Sequence, residues 1–182
     1  MFKTNSSQRI GILIGCLSLS LSSCGVSKVE QCNSFSEVIN QGQTFQSEFQ
    51  TEMDEFSKKF GNTKDLAGMK EMANGYNEVV GRIVAKIDGM TGDLEALELP
   101  DETLSGQRES YTKVTSGLSQ SLTKTTEAMS LFLDVKTEKD LMPVMVKFQE
   151  QATEAFKNID SLAAQETKLT TEINAYCQGE SK

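Results

Sequence analysis

Apolar residues recur along this chain at alternating steps of three and four, the repeat that lines one face of a helix. Four such runs follow one another with short breaks between them. The second is the clearest: Leu66, Met69, Ala73, Tyr76, Val80, Ile83, Ile87, Met90, Leu94 and Leu97 fill successive stripe positions without a polar residue. The first carries Cys32, Phe35, Ile39, Phe49, Met53, Phe56 and Phe60, and is interrupted at Gly42 and Gln46. The third holds Leu104, Tyr111, Val114, Leu118, Leu122, Met129, Phe132 and Leu133. The fourth runs from Leu141 through Phe148, Ile159, Leu162, Leu169 and Ile173 to Tyr176, broken at Glu166.

End signals divide the runs into helices at 28–60, 63–98, 101–134 and 138–177. Ser27-Lys28-Val29-Glu30 has the form of a capping box, in which Ser accepts from the backbone while Glu reaches back. Gly61-Asn62 is a terminating pair, and Thr63 is placed to cap the second helix. Pro100 before Asp101-Glu102 marks a stop and a restart, and Pro143 is tolerable because it falls in a first turn. Gly68, Gly75 and Gly89 share one flank of the second helix, which predicts close approach of a neighbour there. A bend near Gly89 or Gly92 is the other reading. Short connections make consecutive helices antiparallel. The fold class is therefore all-α: an up-down-up-down four-helix bundle over residues 31–178, with helices roughly 50–60 Å long.

Composition narrows the chemistry. The 182 residues include no His and no Trp, which removes a Ser-His-Asp triad and a His-containing zinc site. No P-loop, GxGxxG, CxxC, HExxH, EF-hand or GxSxG pattern occurs. No catalytic set, metal site or cofactor is expected, and the chain reads as a non-enzyme. The net charge of −8 opposes binding to a phosphate backbone, which needs clustered Lys and Arg. Nucleic acid is not an expected partner.

The N-terminus has a different pattern. Lys3 and Arg9 precede an almost unbroken apolar stretch, Ile10 to Leu21, which is too short for a span of about twenty residues. Leu21-Ser22-Ser23-Cys24 follows, with Gly25 next. This resembles the lipobox of bacterial lipoproteins. The resemblance implies that residues 1–23 are a cleaved signal peptide and that the Cys24 thiol receives diacylglycerol. Residues 24–30 then tether the domain to a membrane. The ordinary alternative is cleavage near Ser23 with Cys24 free to pair. Loss of the leader, which holds two basic residues and no acid, takes the side-chain charge from −8 to −10. Gly rather than Asp after the Cys implies delivery to an outer membrane, facing the periplasm, in a Gram-negative cell. A thylakoid lumen or a cell surface would suit the same leader. In leader and architecture alone the chain resembles lipid-anchored four-helix bundles that assist photosystem II, an analogy at the level of fold.

With Cys16 in the leader and Cys24 lipidated, Cys32 and Cys177 remain. Two thiols in an oxidising compartment are expected to bridge. The bridge requires the start of the first helix and the end of the fourth to meet, as the bundle topology independently demands. It would also bring the stripe interruptions to one level, predicting a polar layer of Gln46, Glu166 and Tyr111. Such a layer either sets helix register or holds a ligand or ion. The phenylalanines Phe35, Phe45, Phe49, Phe56 and Phe60 raise a parallel choice between core and an apolar groove. The leading functional expectation is a lipid-anchored envelope protein that binds or scaffolds another protein, or itself, through its helical faces. The alternative is a carrier or sensor of an apolar small molecule in the bundle core.

Overall fold

The structure, a computed structural model, describes residues 26–179. The leader, Cys16 and Cys24 lie outside the described residues. Within them the fold is four helices with no strand: α1 (Lys28–Phe60), α2 (Leu66–Ala96), α3 (Glu102–Ser130) and α4 (Leu141–Gln178), with a short 3₁₀ turn at Glu138–Asp140. α1 opens as predicted. Ser27 Oγ accepts from the Glu30 amide and the Glu30 carboxylate accepts from the Ser27 amide. Lys28–Glu30, which the sequence assigns both to the tether and to the first helix, are the first turn of α1.

Three boundaries differ from expectation. Thr63 does not cap α2; its amide donates to the carbonyl of Phe60, which leaves it in the turn. Asp65 is the cap, accepting from the Gly68 amide at 2.7 Å. α3 ends at Ser130 rather than 134, because the amides of Leu131, Phe132 and Leu133 reach back three residues instead of four, tightening the last turn. The first turn of the fourth helix is 3₁₀, with the Asp140 carboxylate accepting from the amide and hydroxyl of Thr137.

Contacts set the topology. Glu52, Glu48 and Gln41 of α1 meet Arg82, Lys86 and Asp93 of α2, so the two helices run antiparallel. Tyr76 with Thr125 and Thr91 with Thr115 pair α2 and α3 the same way. Tyr111 with Glu166, and Gly117 beneath Leu162, do so for α3 and α4. α1 and α4 touch little, and α1 and α3 slightly less. Four helices are thus joined edge to edge, and the α1–α4 edge is sewn together where Cys32 meets Cys177. Their Cα atoms are 5.8 Å apart and the sulfurs are bonded.

Apolar burial divides into two clusters. One, near the disulfide, holds Cys32, Phe35, Ile39, Leu94, Leu104, Tyr111 and Ile173. The other extends toward the far end around Tyr76, Val80, Ile83, Ile87, Leu122, Met129 and Phe132. The glycine prediction holds at Gly75 alone, where a Cβ would meet the Phe60 ring at 2.9 Å. Gly89, Gly81 and Gly92 face open space, so no helix packs on that part of the flank. α2 continues unbroken past both Gly89 and Gly92. Among the described residues no helix is long and apolar enough to cross a membrane.

Candidate functional site

Because α1 and α4 diverge beyond the disulfide, the stripe residues facing that edge are only partly covered. Phe45, Phe49, Met53 and Phe56 of α1, and Phe148 and Ile159 of α4, are half-buried against the second cluster. A cavity of about 470 Å³ lies between all four helices at this level. Phe45 and Phe49, Ile83, Ile87 and Met90, Leu118 and Leu122, and Ile159 give it apolar walls. Its volume is in the range of pockets that take small organic molecules. The phenylalanines of α1 therefore divide: Phe35 and Phe60 are core, Phe45 and Phe49 line the cavity, and Phe56 packs on Phe60 and Tyr76.

The polar residues of the cavity lie toward its disulfide end. Tyr111, buried on α3, donates its phenol to Glu166 Oε1 at 2.5 Å. Thr170 Oγ1, one turn along α4, donates to the same oxygen at 3.0 Å. Burial pushes the Tyr111 phenol well above its ordinary range, and the adjoining carboxylate, through its hydrogen bond and its charge, pushes it further the same way. Both effects hold the hydroxyl proton in place, so the phenol remains a donor. Glu166 itself is half-buried and lines the cavity.

Gln46 does not join this layer as a buried member. It reaches the cavity wall but is exposed. The stripe position is in register, yet its side chain stays exposed. Tyr111 and Glu166 are brought together; Gln46 stands at the mouth. Thr115, which stripe counting overlooks, is fully buried beside them, accepting from Thr91 and donating to the Thr112 carbonyl. Its signal was present in the density of Ser and Thr along α3.

A second set of polar contacts fixes the disulfide end. Asp101 Oδ1 accepts from the Leu104 amide, and both its carboxylate oxygens accept from the Tyr176 phenol. The Leu104 bond leads the effects that hold the Asp101 carboxyl below its usual range, with Tyr176 and Lys28 adding to it. Gln31 Oε1 accepts from the Asp101 amide, and Gln31 Nε2 donates to the Val26 carbonyl. Lys28 Nζ sits 3.6 Å from the centroid of the Tyr176 ring. One carboxylate thereby links the α3 start to the α4 end beside the sulfurs. Among the described residues there is no group of three or more acidic, Cys or His side chains placed to hold a metal ion. Comparison with known proteins finds no matching family model, no matching curated relative and no matching solved structure.

Proposed function

We propose that this chain is an exported, lipid-anchored, non-catalytic binding protein whose bundle takes up a largely apolar small molecule between its helices. The observation that carries the reading is the cavity itself. It combines apolar walls from four helices with a small, ordered polar group at one end, the arrangement that small-molecule sites share. A register-setting layer needs only Tyr111 and Glu166, and would be served better by closed packing around them than by an open volume. The lipid at Cys24 would fix the disulfide end near a membrane, by the resemblance of the leader. Val26 and Val29, exposed at that end, suit such a setting. Outer-membrane attachment facing the periplasm remains the reading of Gly25.

Native mass spectrometry of the protein extracted from its own membranes tests this. A bound small mass, released on denaturation and absent from an Ile159→Trp variant whose indole fills the cavity, is the expected result. A protein that carries only its acyl groups, under conditions in which a control lipid-binding protein keeps its ligand, overturns it.

One observation favours a second reading, in which the partner is another protein. Met142, Met145, Val146 and Phe156 stand exposed on the first half of α4, Met142 at 68% and Val146 at 62%. They lie at the end away from the disulfide, where a tethered domain would meet a partner. Affinity capture from membranes with wild-type protein and a Met142→Lys/Val146→Lys variant separates the readings, because the variant leaves the cavity intact.

A further inference from the structure

The proposed cavity has an unequal supply of hydrogen-bond donors and acceptors, and this selects a ligand class. Five hydroxyls line it, and every one of their protons is already engaged. Tyr111 and Thr170 donate to Glu166, Thr115 to the Thr112 carbonyl, Thr167 to the Ala163 carbonyl, and Thr171 to the Thr167 carbonyl. What remains on these oxygens is lone pairs. Glu166 Oε2 receives no hydrogen bond from any described residue, while Oε1 receives two. Among the described residues Glu166 is the only carboxylate in the lining, and no Lys or Arg lines it. The cations of the neighbouring α2 face, Arg82 and Lys86, are paired with Glu52 and Glu48. Only Gln43 and Gln46, exposed at the mouth, carry amide donors.

A carboxylate, phosphate or sulfonate group entering this cavity would meet acceptors and a negative charge. An ammonium group would meet a fixed carboxylate oxygen and hydroxyl lone pairs, in a protein whose net charge of −8 raises the local concentration of cations. We propose that the ligand is an organic amine with an apolar body, seated with its ammonium on Glu166 Oε2 and its body among Phe45, Phe49, Ile87, Leu118 and Ile159. This rests on the small-molecule reading given above. It narrows that reading to one charge class.

Three fluorescent probes with one common dansyl ring test it: dansylcadaverine, which is cationic, dansylamide, which is neutral, and dansylglycine, which is anionic. Each is titrated into the full lipidated protein held in nanodiscs of zwitterionic lipid, against empty nanodiscs. The expected order is cationic, then neutral, then anionic, with the cationic probe about tenfold tighter than the neutral one. Glu166→Gln should abolish that advantage. Glu172→Gln, an exposed acid on the same helix, should not alter the order. Equal binding of cationic and neutral probes overturns the amine assignment and leaves the small-molecule reading standing. Saturable binding of none overturns both. The wild-type order decides the proposal even where Glu166→Gln loses its cooperative melt.

Discussion

Tyr111 and Glu166, 55 residues apart in the chain, share a 2.5 Å hydrogen bond in which the phenol donates to the carboxylate at the end of an apolar cavity. The bond crosses from α3 to α4, and Thr170 completes it on the same oxygen. A hydrogen bond to a charged group contributes about 1.5–3 kcal/mol, less where water reaches the carboxylate as it does here. Tyr111→Phe should therefore cost about 1–2 kcal/mol in urea unfolding. Combined with Glu166→Gln, the loss should fall short of the two single losses added together. Strict additivity would show that the pair is adjacent without being coupled.

The disulfide closes most of the folded chain, its two cysteines standing 145 positions apart. Replacing Cys32 and Cys177 with Ser together should lower stability by about 5 kcal/mol, the chain-entropy value for a loop of that length. Reduced wild-type protein should show the same urea midpoint as the double variant. Unchanged midpoints with and without reductant would contradict the bridge.

Glycines on α2 should respond in opposite directions. Gly81→Ala, Gly89→Ala and Gly92→Ala place a methyl in open space and remove backbone freedom from the unfolded chain, so each should stabilise by about 0.5–1 kcal/mol. Gly75→Ala should destabilise, because its methyl meets the Phe60 ring, itself packed on Phe56. Thermal melts of the four variants check the split.

Acid and base should each loosen the fold, through different groups. Asp101 and Glu30 ionise more easily in the folded state than in the unfolded chain. Amide donors lead both shifts, from Leu104 for Asp101 and from Ser27 for Glu30. Their contribution is present above their ordinary values of 3.8 and 4.5 and is lost as pH falls through the lowered folded values. Asp101→Asn should flatten that acid limb. Tyr76 and Tyr111 shift the other way, chiefly through burial. Their contribution is complete below 10 and is lost as pH rises toward the raised folded values. Ultraviolet titration should show two phenols ionising only as the protein unfolds.

Much of the fold was legible because it rests on local rules. The unbroken stripe of α2, the capping box at Ser27 and the stop at Gly61 each depend on a few neighbouring residues. The Cys32–Cys177 pairing followed from the thiol count once Cys16 and Cys24 had been set aside, and the topology, read independently, agreed with it. Tyr111 and Glu166 could be placed at one level by counting turns from those sulfurs. The cavity could not be read in the same way. It depends on how far α1 and α4 stand apart, and a stripe records which face is apolar without recording whether a partner covers it. Gln46 shows the difference, sitting at a stripe position yet exposed at the cavity mouth. Gly89 fails for the same reason: sequence marks it as small, and only the fold shows that nothing approaches.

Methyl nuclear magnetic resonance during titration with phenylnaphthylamine, a neutral apolar probe, tests the binding claim most directly. Saturable shifts at Ile83, Ile87, Met90, Leu118, Leu122 and Ile159, with Leu99 and Val79 unmoved, are the result this account predicts. Shifts confined to Met142, Met145 and Val146 on the exposed end of α4, or no saturable shift at any methyl, would contradict it.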